Sequence, residues 1–106
     1  MKVIAEVAKK HDLMIIADEV YREFVYDGRT PASFGQLKEY EDRVIIIDSV
    51  SKRFSACGAR IGLCISKNKE FMSGIMKIDK FIDVHNRYSR LYYIVQFIQY
   101  PTGDLF

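Results

Sequence analysis

Cysteine is scarce in this chain: only Cys57 and Cys64 occur among 106 residues. They form no CxxC pair and have no His-rich neighbourhood, which argues against a disulfide framework or a zinc site and fits a reducing compartment. An excess of one charge is also lacking. Lys plus Arg number 16 against 14 Asp plus Glu, a net charge of +2, so nothing electrostatic favours a nucleic-acid or membrane partner. No apolar run reaches the roughly 20 residues of a membrane span. The opening MKVIAEVAKKHD puts Glu6 and a lysine pair where a signal peptide needs an apolar stretch. The expectation is a soluble, cytoplasmic chain. Internal repeats and low-complexity linkers are missing, and so is a GxGxxG dinucleotide fingerprint.

What is present is an ordinary globular balance, 49% hydrophobic and 28% charged, at a length that supports one core. Val3, Ile4, Val7 and Ala8 recur at helical spacing, with Lys9 and Lys10 near the favourable C-terminal end, so residues 2–10 read as helix. Leu13-Met14-Ile15-Ile16-Ala17 is an unbroken apolar run, the pattern of a strand buried on both faces, and Asp18 follows it. Asp27-Gly28 and Thr30-Pro31 are turn signals in a connecting excursion that ends in a short polar helical stretch around residues 36–40. Val44-Ile45-Ile46-Ile47 is a second buried-strand run, left through Asp48-Ser49-Val50-Ser51-Lys52. Ile61, Leu63 and Ile65 alternate in a third strand over residues 60–66. Phe71, Ile75, Ile78 and Ile82 then make a helical stripe over residues 69–84. The order predicts part of an open, mostly parallel α/β sheet flanked by helices, whose ligands sit beyond the carboxyl ends of the parallel strands, where Asp18 and Lys52 would lie.

Taken singly, Lys52 reads as a solvated lysine, Asp18 as a turn or cap residue, Ser49 and Ser51 as loop hydroxyls, Tyr21 as a rim aromatic and Arg60 as a surface ion-pair partner. Their joint spacing changes that weighting. Ala17-Asp18-Glu19-Val20-Tyr21 sets an acid and a tyrosine three apart. Ser49-Val50-Ser51-Lys52-Arg53-Phe54-Ser55-Ala56-Cys57-Gly58-Ala59-Arg60-Ile61-Gly62 sets a serine three before a lysine and an arginine eight after it. Over residues 1–75 the chain resembles the class I aminotransferases, pyridoxal phosphate (PLP) dependent enzymes of fold type I. Gly58 and Gly62 flank Arg60 as backbone room for a phosphate or for tight packing. His11 and His85 fall outside both motifs and receive no catalytic role.

The resemblance implies that Lys52 is the Schiff-base lysine, the covalent anchor of PLP and afterwards its proton carrier. It implies that Asp18 faces the pyridine nitrogen, Tyr21 hydrogen-bonds the ring oxygen, and Ser49 and Arg60 bind the phosphate, each charge-assisted bond contributing about 1.5–3 kcal/mol. An amino acid and a 2-oxo acid are the substrates implied for the complete enzyme. The family's glycine-containing phosphate loop, ring-stacking aromatic, asparagine and substrate-carboxylate arginine have no counterpart here, so the chain reads as a fragment, inactive alone. The division expected is a partial PLP-binding domain over residues 1–77 and a divergent or truncated segment over 78–106. Within the latter, Pro101-Thr102-Gly103 is read as a chance turn, and a frameshifted gene end would account for the aromatic tail. Two other readings stay open: a PLP-dependent carbon–sulfur lyase fragment, and a non-catalytic interaction module whose uncovered apolar surface would favour a homo-oligomer.

Overall fold

A computed structural model describes residues 1–85, with side chains described to residue 78. The expected tail from Tyr92 onward, the Pro101-Thr102-Gly103 turn and most of the 78–106 segment lie outside the described residues.

Helix α1 spans Lys2–Lys10. Its packed face is Ala5 and Ala8, whereas Val3, Ile4 and Val7 of the sequence stripe are exposed. These two alanines pack with Ile15, Val44 and Ile46 of the sheet. The helix ends in a Schellman arrangement: the Leu13 amide donates to the Ala8 carbonyl at 2.8 Å and the Asp12 amide to the Lys9 carbonyl at 3.4 Å. Asp12 takes the left-handed conformation this requires, φ 52°. Strand β1 therefore begins only at Ile15 and runs Ile15–Asp18. Leu13 and Met14, expected in the strand, are exposed.

Strand β2, Val44–Ser49, pairs parallel with β1, Ile15 opposite Val44 and Asp18 opposite Ile47. It leads directly into a single helical turn, α2, Val50–Arg53. Strand β3, Gly62–Ser66, then returns antiparallel to β2, with Ser49 opposite Gly62. The open α/β sheet is thus present in the order β1-β2-β3, but its described part is mixed rather than mostly parallel. The link over residues 50–61 explains this. It holds only the four residues of α2 and a three-residue 3-10 turn, Cys57–Ala59, and no helix long enough to carry the chain back across the sheet. Helix α3, Lys69–His85, follows. Asn68 caps it, its side-chain oxygen accepting from the Phe71 amide at 2.8 Å.

Ala5, Ala8, Ile15, Val44 and Ile46 form the core, with Phe34, Leu37, Tyr40 and Ile65 packed against it. Two 3-10 turns, Phe34–Gln36 and Lys38–Tyr40, and the Leu37 between them supply three of those partners. Expected burial on both faces holds for β2, where Val44, Ile45 and Ile46 are all buried. It fails for β1: Ile15 and Ala17 are 8% and 7% exposed, but Ile16 between them is 71% exposed. Strand side chains alternate between faces, and among the described residues only the α1 face of β1 is covered. No helix among the described residues is long and apolar enough to cross a membrane.

Candidate functional site

Alternation along the strands divides the polar residues at their carboxyl ends into two sets. Asp18 and Ile47 are register partners and Ser49 follows two places on, so Asp18 and Ser49 share the face opposite α1. Asp48 belongs to the α1 face with Ile46.

On the open face, Ser49, Lys52 and Arg60 line one depression of about 400 Å³ together with Val20, Ser51 and Cys57. Ser49 is the N-cap of α2, its Oγ accepting from the Ser51 amide at 3.1 Å. That Oγ also stands 3.0 Å from the Ile61 carbonyl and 2.9 Å from Ser51 Oγ. A carbonyl only accepts, so the Ser49 proton goes to Ile61 and the Ser51 hydroxyl can donate to Ser49. Lys52, on the same turn, holds its Nζ 5.6 Å from the centroid of the Tyr21 ring, within cation–π range. Tyr21 in turn meets Phe24 edge-on, ring centroids 5.6 Å apart.

Arg60 follows the Cys57–Ala59 turn in the left-handed region, φ 54° and ψ 40°. Its described hydrogen bond is a long one, Nη1 donating to the Cys57 carbonyl at 3.5 Å. A non-glycine residue held there stores strain of about 1–2 kcal/mol. The lining thus carries two cations, two hydroxyls, a thiol and no carboxylate. Such a pocket favours an anion, and the primary amine beside it supplies a nucleophile. That donor set fits a phosphorylated aldehyde.

Of the five residues singled out by spacing, three line the depression directly and Tyr21 adjoins it through Lys52. Asp18 ends β1 on the same face but does not line it, its Oδ1 accepting from the Val20 amide at 3.3 Å. Gly58 and Gly62 are not required by tight packing. A Cβ on Gly58 would meet nothing within 4 Å, and one on Gly62 only the Asp48 carbonyl at 3.9 Å.

Sequence reasoning missed the opposite face. Asp48, 3% exposed, receives Arg53 Nη2 at 2.8 Å and Arg22 Nη2 at 3.5 Å on Oδ2, and the Ser49 amide at 2.7 Å on Oδ1. Arg22 Nη1 reaches Glu19 Oε2 at 3.0 Å, and Arg53 Nε reaches Glu23 Oε1 at 3.1 Å. Glu19 Oε1 accepts from the Phe34 amide at 2.8 Å and from the buried Ser33 hydroxyl at 3.1 Å. The available signal was that Asp18, Tyr21, Ser49 and Lys52 each have a charged neighbour, Glu19, Arg22, Asp48 and Arg53, and adjacent side chains on a strand or a helical turn point in different directions. Beyond the depression, burial pushes the Cys64 thiol above its ordinary pKa, while Cys57 is exposed.

Comparison with known proteins identifies the family. The model of the family "aminotransferase class I and II" matches residues 1–100, further than the motif resemblance reaches. The chain is 46% identical over 59 residues to aromatic-amino-acid aminotransferase 2 of Thermococcus litoralis, covering 56% of this chain and 15% of that protein. It is 39% identical over 62 residues to kynurenine–oxoglutarate transaminase 1 of Rattus norvegicus, covering 58% and 15%. Against the LL-diaminopimelate aminotransferase of Gloeobacter violaceus it is 34% identical over 80 residues, covering 76% and 20%. The chain therefore spans about 15% of the length of the first two relatives. With the family match running over almost the whole chain, this protein belongs to the class I and II aminotransferases.

Proposed function

We propose that this chain is the cofactor-lysine segment of a PLP-dependent aminotransferase and supplies that part of the site to an assembled enzyme. The observation that carries the reading is the convergence of Lys52, Arg60, Ser49 and Ser51 on one carboxylate-free depression at the carboxyl ends of β1 and β2. PLP is the general cofactor of the family, and when bound it supplies an aldehyde and an electron-withdrawing ring. Lys52 Nζ is the covalent anchor. Lys52 would also be the proton carrier of the site, its Nζ taking up and returning a proton when it is not joined to the cofactor. Arg60 would hold the phosphate by charge-assisted bonds, and the Ser49 and Ser51 hydroxyls would join it by turning their protons away from the Ile61 carbonyl and from each other. Asp18 would serve the ring nitrogen, because a carboxylate beside a cationic nitrogen favours its protonated form, and Tyr21 would donate to the ring oxygen.

An amino acid and a 2-oxo acid are the substrates in the complete enzyme. The open face favours a shared site over a self-sufficient one: Ile16, Tyr21, Phe24 and Phe54 are all exposed beside these residues. That surface would be covered by further family segments or by another copy of the chain. Carbon–sulfur elimination uses the same residues, and product analysis of the assembled enzyme separates the two: a keto acid with aminated cofactor marks transamination, pyruvate with ammonia and thiol marks elimination.

The test is titration of the purified chain with PLP, borohydride fixation and peptide mapping. Saturable modification confined to Lys52 and abolished in Lys52→Ala is the expected result. Label scattered over surface lysines and unchanged by Lys52→Ala would overturn the reading in favour of a non-catalytic remnant.

A further inference from the structure

We infer that Asp48 is a positioning residue that holds the Lys52 turn against the Tyr21 segment from the far side of the sheet, an inference that rests on the proposed role of Lys52. Its carboxylate is buried at the end of β2 and is shared by two guanidiniums from different parts of the chain. Arg22 comes from the segment after β1 and directly follows Tyr21. Arg53 comes from α2 and directly follows Lys52. Adjacent residues on a helical turn point about 100° apart, so Lys52 can enter the open depression while Arg53 turns to Asp48. The outer ends of the chain of charges are tied as well, Arg22 to Glu19 and Arg53 to Glu23.

The sequence of charges is Glu19, Arg22, Asp48, Arg53, Glu23, alternating in sign with Asp48 at its centre. Both links from the 19–23 segment to α2 pass through Arg53, one by way of Asp48 and one by way of Glu23. Asp48 also accepts from the Ser49 amide, which sets the residue that caps α2. At the buried centre the Arg53 bond to Asp48 is short, 2.8 Å, and the Arg22 contact is longer, 3.5 Å, and charges gathered on one buried carboxylate reinforce one another. Removing the central charge leaves the two guanidiniums without their common counter-charge, and α2 is then tied to the Tyr21 segment only through Arg53 and the half-exposed Glu23, a looser hold on the turn that carries Lys52. The consequence is a Lys52 amine that is no longer pre-placed, and pre-placement within about 0.5 Å is what a covalent site needs.

The experiment uses the full chain, PLP as the probe, and borohydride fixation read by peptide mapping, with circular dichroism recording the folded fraction. Asp48→Asn is expected to raise the PLP concentration for half-modification of Lys52 about tenfold and to shift label toward other lysines at unchanged folded fraction. A purely structural role would lower the melting temperature without moving that distribution. Arg53→Lys keeps the charge, but a single ammonium cannot span Asp48 and Glu23 as Nη2 and Nε do, and an increase of about threefold is expected. The double variant Asp48→Asn with Arg53→Lys should be no weaker than Asp48→Asn alone, since both cut one link. Wild-type half-modification in folded Asp48→Asn, or losses that multiply in the double variant, would overturn the inference. If Asp48→Asn does not fold, Arg53→Lys decides alone: an unchanged half-modification point refutes the clamp. Failure of the wild-type chain to label Lys52 selectively would instead bring down the proposed function and this inference with it.

Discussion

Replacing Arg60 by glycine should raise stability and weaken cofactor binding at once. Arg60 sits at φ 54°, where a side chain costs about 1–2 kcal/mol and glycine almost nothing. Against that gain stands the larger conformational entropy that glycine loses on folding, about 0.5–1 kcal/mol. The 3.5 Å bond to the Cys57 carbonyl is too long to add much. The net lies between about zero and 1.5 kcal/mol in favour of glycine, centred on about 0.75 kcal/mol, an increase of about 3–6 °C in melting temperature for a domain of this size. Binding moves the other way: loss of one charge-assisted phosphate contact, about 1.5–3 kcal/mol, weakens PLP about 10- to 150-fold. Thermal melting by circular dichroism and PLP titration with borohydride fixation measure the two quantities on one sample. A lower melting temperature with unchanged PLP half-saturation would refute the reasoning, because Arg60 would then be a structural residue in a conformation it prefers.

Ile46→Ala, at a core position between the sheet and α1, should cost about 2–5 kcal/mol, and in a core this small it should abolish the cooperative thermal transition. An unaltered melt would show that the α1 face of the sheet is not the core. Alkylation should separate the two cysteines, since the thiolate is the reactive form. Burial raises the Cys64 pKa, so less of this thiol is ionised at neutral pH than of an ordinary one, and its rate keeps climbing with pH beyond the ordinary thiol range. Exposed Cys57 should react first, and mass mapping that finds Cys64 modified first would contradict the burial described.

The elements that can be read from the sequence are those whose signal is local. The helical residues 2–10 and the helix from Lys69, the second strand, and the excursion turn at Asp27-Gly28 follow from periodicity and turn chemistry. Both Asp27 and Gly28 take positive φ, 59° and 67°. The motif residues were legible because their spacing is a property of the chain alone. Less legible was the start of β1, because Leu13 is drawn into the cap of α1. Nor could the apolar stripe Val3, Ile4, Val7 tell that Ala5 would face the sheet. Asp48 and Arg53 received no role from the sequence, since the partners that join them to the segment after β1, Arg22 and Glu23, lie some 25 to 30 residues away.

By itself, then, the sequence determined the order of helix, strand, excursion, strand, strand and helix, and set an acid, a tyrosine, a serine, a lysine and an arginine at the spacings on which the family resemblance rests. Those are outcomes of nearest-neighbour sterics and of the 3.6 and 2.0 periods. The tertiary structure alone decided that among the described residues only one face of β1 is covered, and that a buried carboxylate joins the Tyr21 and Lys52 segments through two arginines. Which face is covered and which charges pair depend on which distant surfaces pack together, and no local pattern carries that information.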